Sequence, residues 1–153
     1  MPSDQPSEEP SQEQQRSEPS EPAAKEILTV ANSKDLAALR AEPDYCSNRI
    51  GGFATRYTGR TIEFDGNVAT MNNHGNYKTR YDILVSAGDD SESSAIGPAF
   101  QFQDVGIFEL HLTGSNIPDH VGKGDNLHIV AQVEDFNSTQ CLFFLKPVST
   151  EVR

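Results

Sequence analysis

Between positions 74 and 81 the chain interleaves aromatic rings with bases: His74, Tyr77, Lys78, Arg80 and Tyr81. Rings that stack on bases, beside cations that meet phosphates, are what a single nucleic-acid strand requires. The same residues also suit the rim of a barrel. There the rings would cover the core edge, and Lys78 and Arg80 would pair with acids on a neighbouring strand. The charge of the chain weighs on the second side. Lys and Arg total 12 against 23 Asp and Glu, a net charge of −11. A polyanion binder needs a basic footprint, so nucleic acid and anionic membrane are not the expected partners.

The other residues able to do chemistry are few. Cys46 and Cys141 are too few for a thiolate zinc site or a disulfide scaffold. Exported cysteines pair and cytosolic ones stay reduced. Two readings therefore stand, a Cys46–Cys141 bond or two separate buried thiols. No sequence pattern beside either supplies an activating base, so neither is expected to be a nucleophile. His74, His111, His120 and His128 form no Cys/His cluster and no i, i+4 pair, and zinc is not expected. Asp89, Asp90 and Glu92 crowd one loop. Three carboxylates with backbone carbonyls could hold calcium, but the spacing of an EF-hand is missing, and a solvated acidic loop is the plainer reading. No phosphate loop, Gly-x-Ser-x-Gly elbow or paired catalytic carboxylates occur. The expectation is a non-enzyme without cofactor or metal.

These residues must be positioned by the elements around them. Residues 1–25 hold five prolines and no aromatic or β-branched residue, with six acids against two bases. Such a stretch cannot bury enough apolar surface to offset its chain entropy, and it should be a disordered, extended linker. The remaining 26–153 carries a charge of −7 and is long enough for one core. No run of 18 apolar residues exists, so no transmembrane helix is expected. Glu26 to Val30 is a short apolar run that reads as a lead-in strand. Lys34 to Arg40 reads as a helix capped by Asn32 or Ser33, with Leu36 and Leu39 on one side. Ile50, Phe53, Ala54 and Tyr57 share a helical stripe, which gives a second helix with Asp44 as N-cap and Gly59 near its end. Gly51 and Gly52 weaken it.

After Gly59 the pattern alternates. Arg60 to Met71 is the first strand, where Gly66 suggests a bulge or sharp coil. Thr79 to Val85 gives the second. Phe100 and Phe102 open the third, which the apolar run Val105 to Leu112 continues past Gly106. Leu127 to Val133 makes the fourth and Cys141 to Leu145 the fifth. Five short strands with a glycine-coiled first strand predict a small closed barrel, where a sandwich would usually have about seven.

The run Tyr57-Thr-Gly59-Arg60-Thr-Ile62-Glu-Phe64-Asp-Gly66-Asn-Val68 resembles the opening of OB-fold domains related to anticodon-binding modules. Val121 to Val133 resembles the same family's Gly-Asp turn into strand four. The resemblance implies a mainly β, five-stranded OB-fold-like barrel behind one or two short helices. Such barrels bind across strands two and three, between the loops joining strands one to two and four to five. Those places hold His74, Tyr77, Lys78, Arg80 and Tyr81, and on the other loop Phe136 and Asn137.

Tyr77 to Leu84, Gly97 to Val105 and Leu145 to Arg153 further resemble an uncharacterised domain family of bacterial surface lipoproteins, displayed on Pro/Ser/Glu-rich stalks. That likeness implies a monomeric, non-catalytic binding domain outside the cell, lipid-anchored, with a protein or envelope ligand. Met1-Pro2 offers neither an export signal nor a lipid-accepting cysteine. The implied signal would have been removed, with Met1 in its place. The other expectation is an intracellular single-strand-binding module with an acidic tail.

Overall fold

A computed structural model describes residues 26–88 and 97–153. The linker expected over 1–25 and the acidic loop Asp89–Glu92 lie outside the described residues.

The elements run α1 (Lys34–Arg40), α2 (Asn48–Tyr57), β1 (Thr61–Asn73), β2 (Tyr81–Ala87), β3 (Ala99–Val105), a 3-10 turn (Ile107–Leu110), β4 (Leu112–Thr113), β5 (Asn126–Asn137) and β6 (Leu142–Val152). Antiparallel pairings link β3 to β2, β2 to β1, β1 to β5 and β5 to β6. Ala99–Gln101 of β3 then pair in parallel with Leu142–Phe144 of β6 and close the ring. The result is the five-stranded mixed barrel that alternation predicts. β4 is an extra strand lying against the end of β6.

Alternation builds the core directly. Ile62, Phe64 and Val68 of β1, Ile83 and Val85 of β2, Phe100 and Phe102 of β3, Leu127, Ile129, Ala131 and Val133 of β5, and Phe143 and Leu145 of β6 are all buried. The rings of Phe64, Phe100 and Phe143 stand 4.6 and 5.3 Å apart in a chain across the interior. The helices add Leu36, Leu39, Ile50, Phe53 and Ala54 to the same cluster. Ser33 caps α1 by accepting from the Leu36 N–H at 3.1 Å.

Several local expectations are corrected. Ser47, not Asp44, caps α2, accepting from the Arg49 N–H. Asp44 instead accepts from the Cys46 N–H and shapes the turn before the helix. The lead-in forms no strand beyond a single parallel bridge from Leu28 to Ile62. Gly66 keeps register with both Ala87 and Leu127, and the bulge of β1 falls between Val68 and Thr70. Glycine is needed at 66 for a close approach, since a Cβ there would lie 2.8 Å from the Ser86 carbonyl oxygen and 2.9 Å from Val85 Cγ1.

The third strand stops at Val105. The apolar run beyond it coils into the 3-10 turn, between Asp104 at φ 58° and His111 at φ 53°. The last strand does not end at Leu145 but runs to Val152, and it passes Pro147 where the β5–β6 register shifts. A proline is tolerated at such a bulge.

Candidate functional site

The first predicted cluster closes on itself. His74 Nδ1 lies 2.9 Å from Asp82 Oδ1, and the same oxygen accepts from the Asp104 N–H at 2.9 Å. Arg80 Nε donates to Asp104 Oδ1 at 2.5 Å, and a terminal nitrogen donates to the Asp104 carbonyl. Arg80 also meets Glu109 Oε1 at 2.9 Å, and that oxygen accepts from the Gly106 N–H at 2.8 Å. The hydrogen bond from Arg80 holds the Asp104 carboxyl below its ordinary value, and the Asp104 bond raises Arg80 in turn. Arg80 thus works as a clamp on the 3-10 turn rather than as a free cation.

Tyr81 lies edge-on to His120, with ring centroids 5.8 Å apart. Tyr77 is exposed and stacks loosely over His74, at 6.3 Å. Lys78 is exposed.

Phe136 and Asn137 are not brought to this cluster. Tyr81 pairs with Val105 at one end of β3, whereas Asn137 pairs with Leu142, which pairs with Ala99 at the other end. Six strand steps, about 20 Å, separate them. Phe136 packs against Phe143 and beneath Gly51 of α2, so it belongs to the core edge. The strand face between the two groups is formed by Asp82, Leu84, Ser86, Ala99, Gln101 and Gln103. None of these is aromatic or basic. The residues a stacking platform would need are turned inward as Phe100 and Phe102.

Phe108 was not singled out by its sequence. Its side chain is 90% exposed on the 3-10 turn. It borders an open hollow of about 540 Å³ between Thr79–Tyr81 and Gly106–Glu109. The left-handed residues on either side and the Arg80 clamp fix the turn that carries it. A preorganised, solvent-facing aromatic ring beside a hollow is suited to anchoring a partner at low ordering cost. Only the polarity break at Gly106 hinted at the turn.

The two helices build a second concavity. Asp35, Ala38, Leu39 and Glu42 follow the i, i+3, i+4, i+7 spacing on and just beyond α1, and Arg49, Gly52, Phe53 and Arg56 follow it on α2. The stripes face each other antiparallel. Arg56 meets Asp35 at 3.1 Å at one end and Arg49 meets Glu42 at 3.6 Å at the other. Ala38 and Gly52 sit between the ion pairs and leave a groove of about 430 Å³. Tyr57 borders it, donating its hydroxyl to Asp35 at 2.5 Å. That hydrogen bond raises the phenol above its ordinary value. The spacing was readable in the sequence, but only the structure pairs the two stripes.

Cys46, one residue before the cap of α2, is disulfide-bonded to Cys141 at the start of β6, with Cα atoms 5.0 Å apart. The bond fastens the helical layer to the β5–β6 hairpin.

Fold and surfaces together define a small closed β-barrel with a helical cap stapled to it. The chain belongs to the family described as Domain of unknown function (DUF4839), whose profile matches residues 31–153. No curated protein and no solved structure matches it.

Proposed function

We propose that this chain is a non-catalytic binding domain of an exported, lipid-anchored cell-surface protein, and that it engages a protein ligand through the 3-10 turn. The observation that carries the reading is Phe108, held out at 90% exposure on a turn clamped by Arg80. Large apolar rings are expensive to leave in water, and interface anchors are enriched in aromatic residues. The hollow beside Tyr81 extends the same surface. The Cys46–Cys141 bond supports the location, since disulfides persist in oxidising compartments. The likeness to stalked surface lipoproteins supports it too.

The test is capture from cell-envelope extract with the full chain and with Phe108→Ser. A surface substitution of this kind should leave stability within about 0.5 kcal/mol. The wild type should retain a defined protein that the variant loses. Equal capture by both, or labelling of the native protein only after cells are broken, counts against the reading.

A further inference from the structure

We propose that the groove between α1 and α2 is the docking surface for the chain's own acidic, proline-rich leader, residues 1–25. Three observations carry this, and none involves Phe108.

The first is charge. Residues 26–60 hold five bases, Lys34, Arg40, Arg49, Arg56 and Arg60, against four acids, and so carry +1. Residues 61–153 carry −8. The helical layer is therefore net-positive where the rest of the domain is acidic. The leader, with six acids against two bases, is its electrostatic complement.

The second is where the leader joins. The Arg60 guanidinium reaches the Glu26 carbonyl at 3.4 Å and lies 5.9 Å from the centroid of the Tyr57 ring. Tyr57 borders the groove. Glu26, where the described residues begin, thus shares Arg60 with Tyr57 at one end of the groove. The groove itself is about two helical turns long, from Arg49 to Arg56, or roughly 10 Å. A few extended residues span that, so the leader has ample length.

The third is the lining. Between the two ion pairs the groove is apolar, with Leu39 and Phe53 as floor and the Tyr57 ring at the side. Arg56 lies over that ring at 5.4 Å. Aromatic-lined grooves take proline-rich segments because those segments lose little entropy on docking. Gly52 keeps the groove open: a Cβ there would meet nothing within 4 Å, and its φ is not left-handed. No steric demand of the fold explains a glycine in mid-helix at this position.

Docking in cis raises the local concentration of the leader far above what a free peptide reaches. An external acidic, proline-rich peptide would have to displace it.

The experiment is amide NMR on the oxidised full chain. It compares wild type with Gly52→Leu, which fills the groove, and with the double variant Arg49→Gln/Arg56→Gln. The second variant changes only exposed side chains, 87% and 70% accessible, and so preserves the fold if the first does not. Docking predicts that leader amides shift in both variants and shift the same way when salt is added to wild type. In the variants the salt response of those amides should be lost. Leader amides that stay unmoved, while only α1 and α2 amides respond, overturn the proposal. That outcome leaves the Phe108 reading untouched.

Discussion

His128 of β5 stands between two carboxylates of β1, Asp65 at 2.7 Å from Nδ1 and Glu63 at 2.5 Å from Nε2. Arg153 approaches the same Asp65 oxygen at 3.9 Å, and Glu151 of β6 is the cross-strand neighbour. An imidazole can donate from both nitrogens only as the cation. The hydrogen bond to Asp65, then that to Glu63, raises the His128 pKa above 6.5, against the opposing pull of burial. The folded value exceeds the unfolded one. The stabilisation is therefore complete below the unfolded pKa and fades as pH rises through the folded one. Thermal denaturation of wild type against His128→Gln should show the larger gap near pH 5.5, narrowing toward about pH 8.5. A gap that widens with pH would contradict the assignment. With both nitrogens occupied, this histidine is a cross-strand fastener rather than a free base.

At the scale of elements, two glycines separate opposite demands. Gly52 sits in α2 with open space where a Cβ would go. Gly52→Ala should stabilise the protein by about 0.5–1 kcal/mol, the usual cost of a mid-helix glycine. Gly66→Ala should destabilise it, because the added methyl collides with the Ser86 carbonyl and Val85. Urea melts of both variants check the signs. Equal effects would mean the strand tolerates a shift that these distances forbid. The elements were legible where the signal was local. Ser33 followed by Leu36 and Leu39 marked α1 to the residue, and alternation around Phe64, Val85, Phe100 and Ile129 marked the barrel. The 3-10 turn was not legible. Ile107 to Leu110 is as apolar as a strand, and what bends it is a clamp from Arg80, 24 positions before Asp104. The site was half legible for the same reason. His74, Tyr77, Arg80 and Tyr81 do gather, whereas Phe136 is drawn under α2 by a contact that no spacing encodes. The two helical stripes could be written out from sequence, but their pairing depends on how the layer folds back.

The whole molecule is held by one covalent tie between its two layers. Cys46 and Cys141 are 95 positions apart. Closing a loop of that size in the unfolded chain is worth about 4–5 kcal/mol in the chain-entropy model, and loss of a native bond commonly costs about 2–5. The double variant Cys46→Ala/Cys141→Ala should lose stability in that range by urea melt, while keeping its β-sheet circular dichroism. The barrel core of Phe64, Phe100 and Phe143 does not depend on the tie. A variant as stable as wild type would show that the helical layer holds without it.

The parallel seam between Ala99–Gln101 and Leu142–Phe144 carries a temporal consequence. The ring cannot shut until β6 has emerged, because the second partner of the seam follows the other four barrel strands in the chain. A nascent chain on the ribosome therefore remains an open sheet with unsatisfied edges until β6 is made. A chain cut before Leu142 would lose both the seam with β3 and the pairing with β5, and the barrel would stay open.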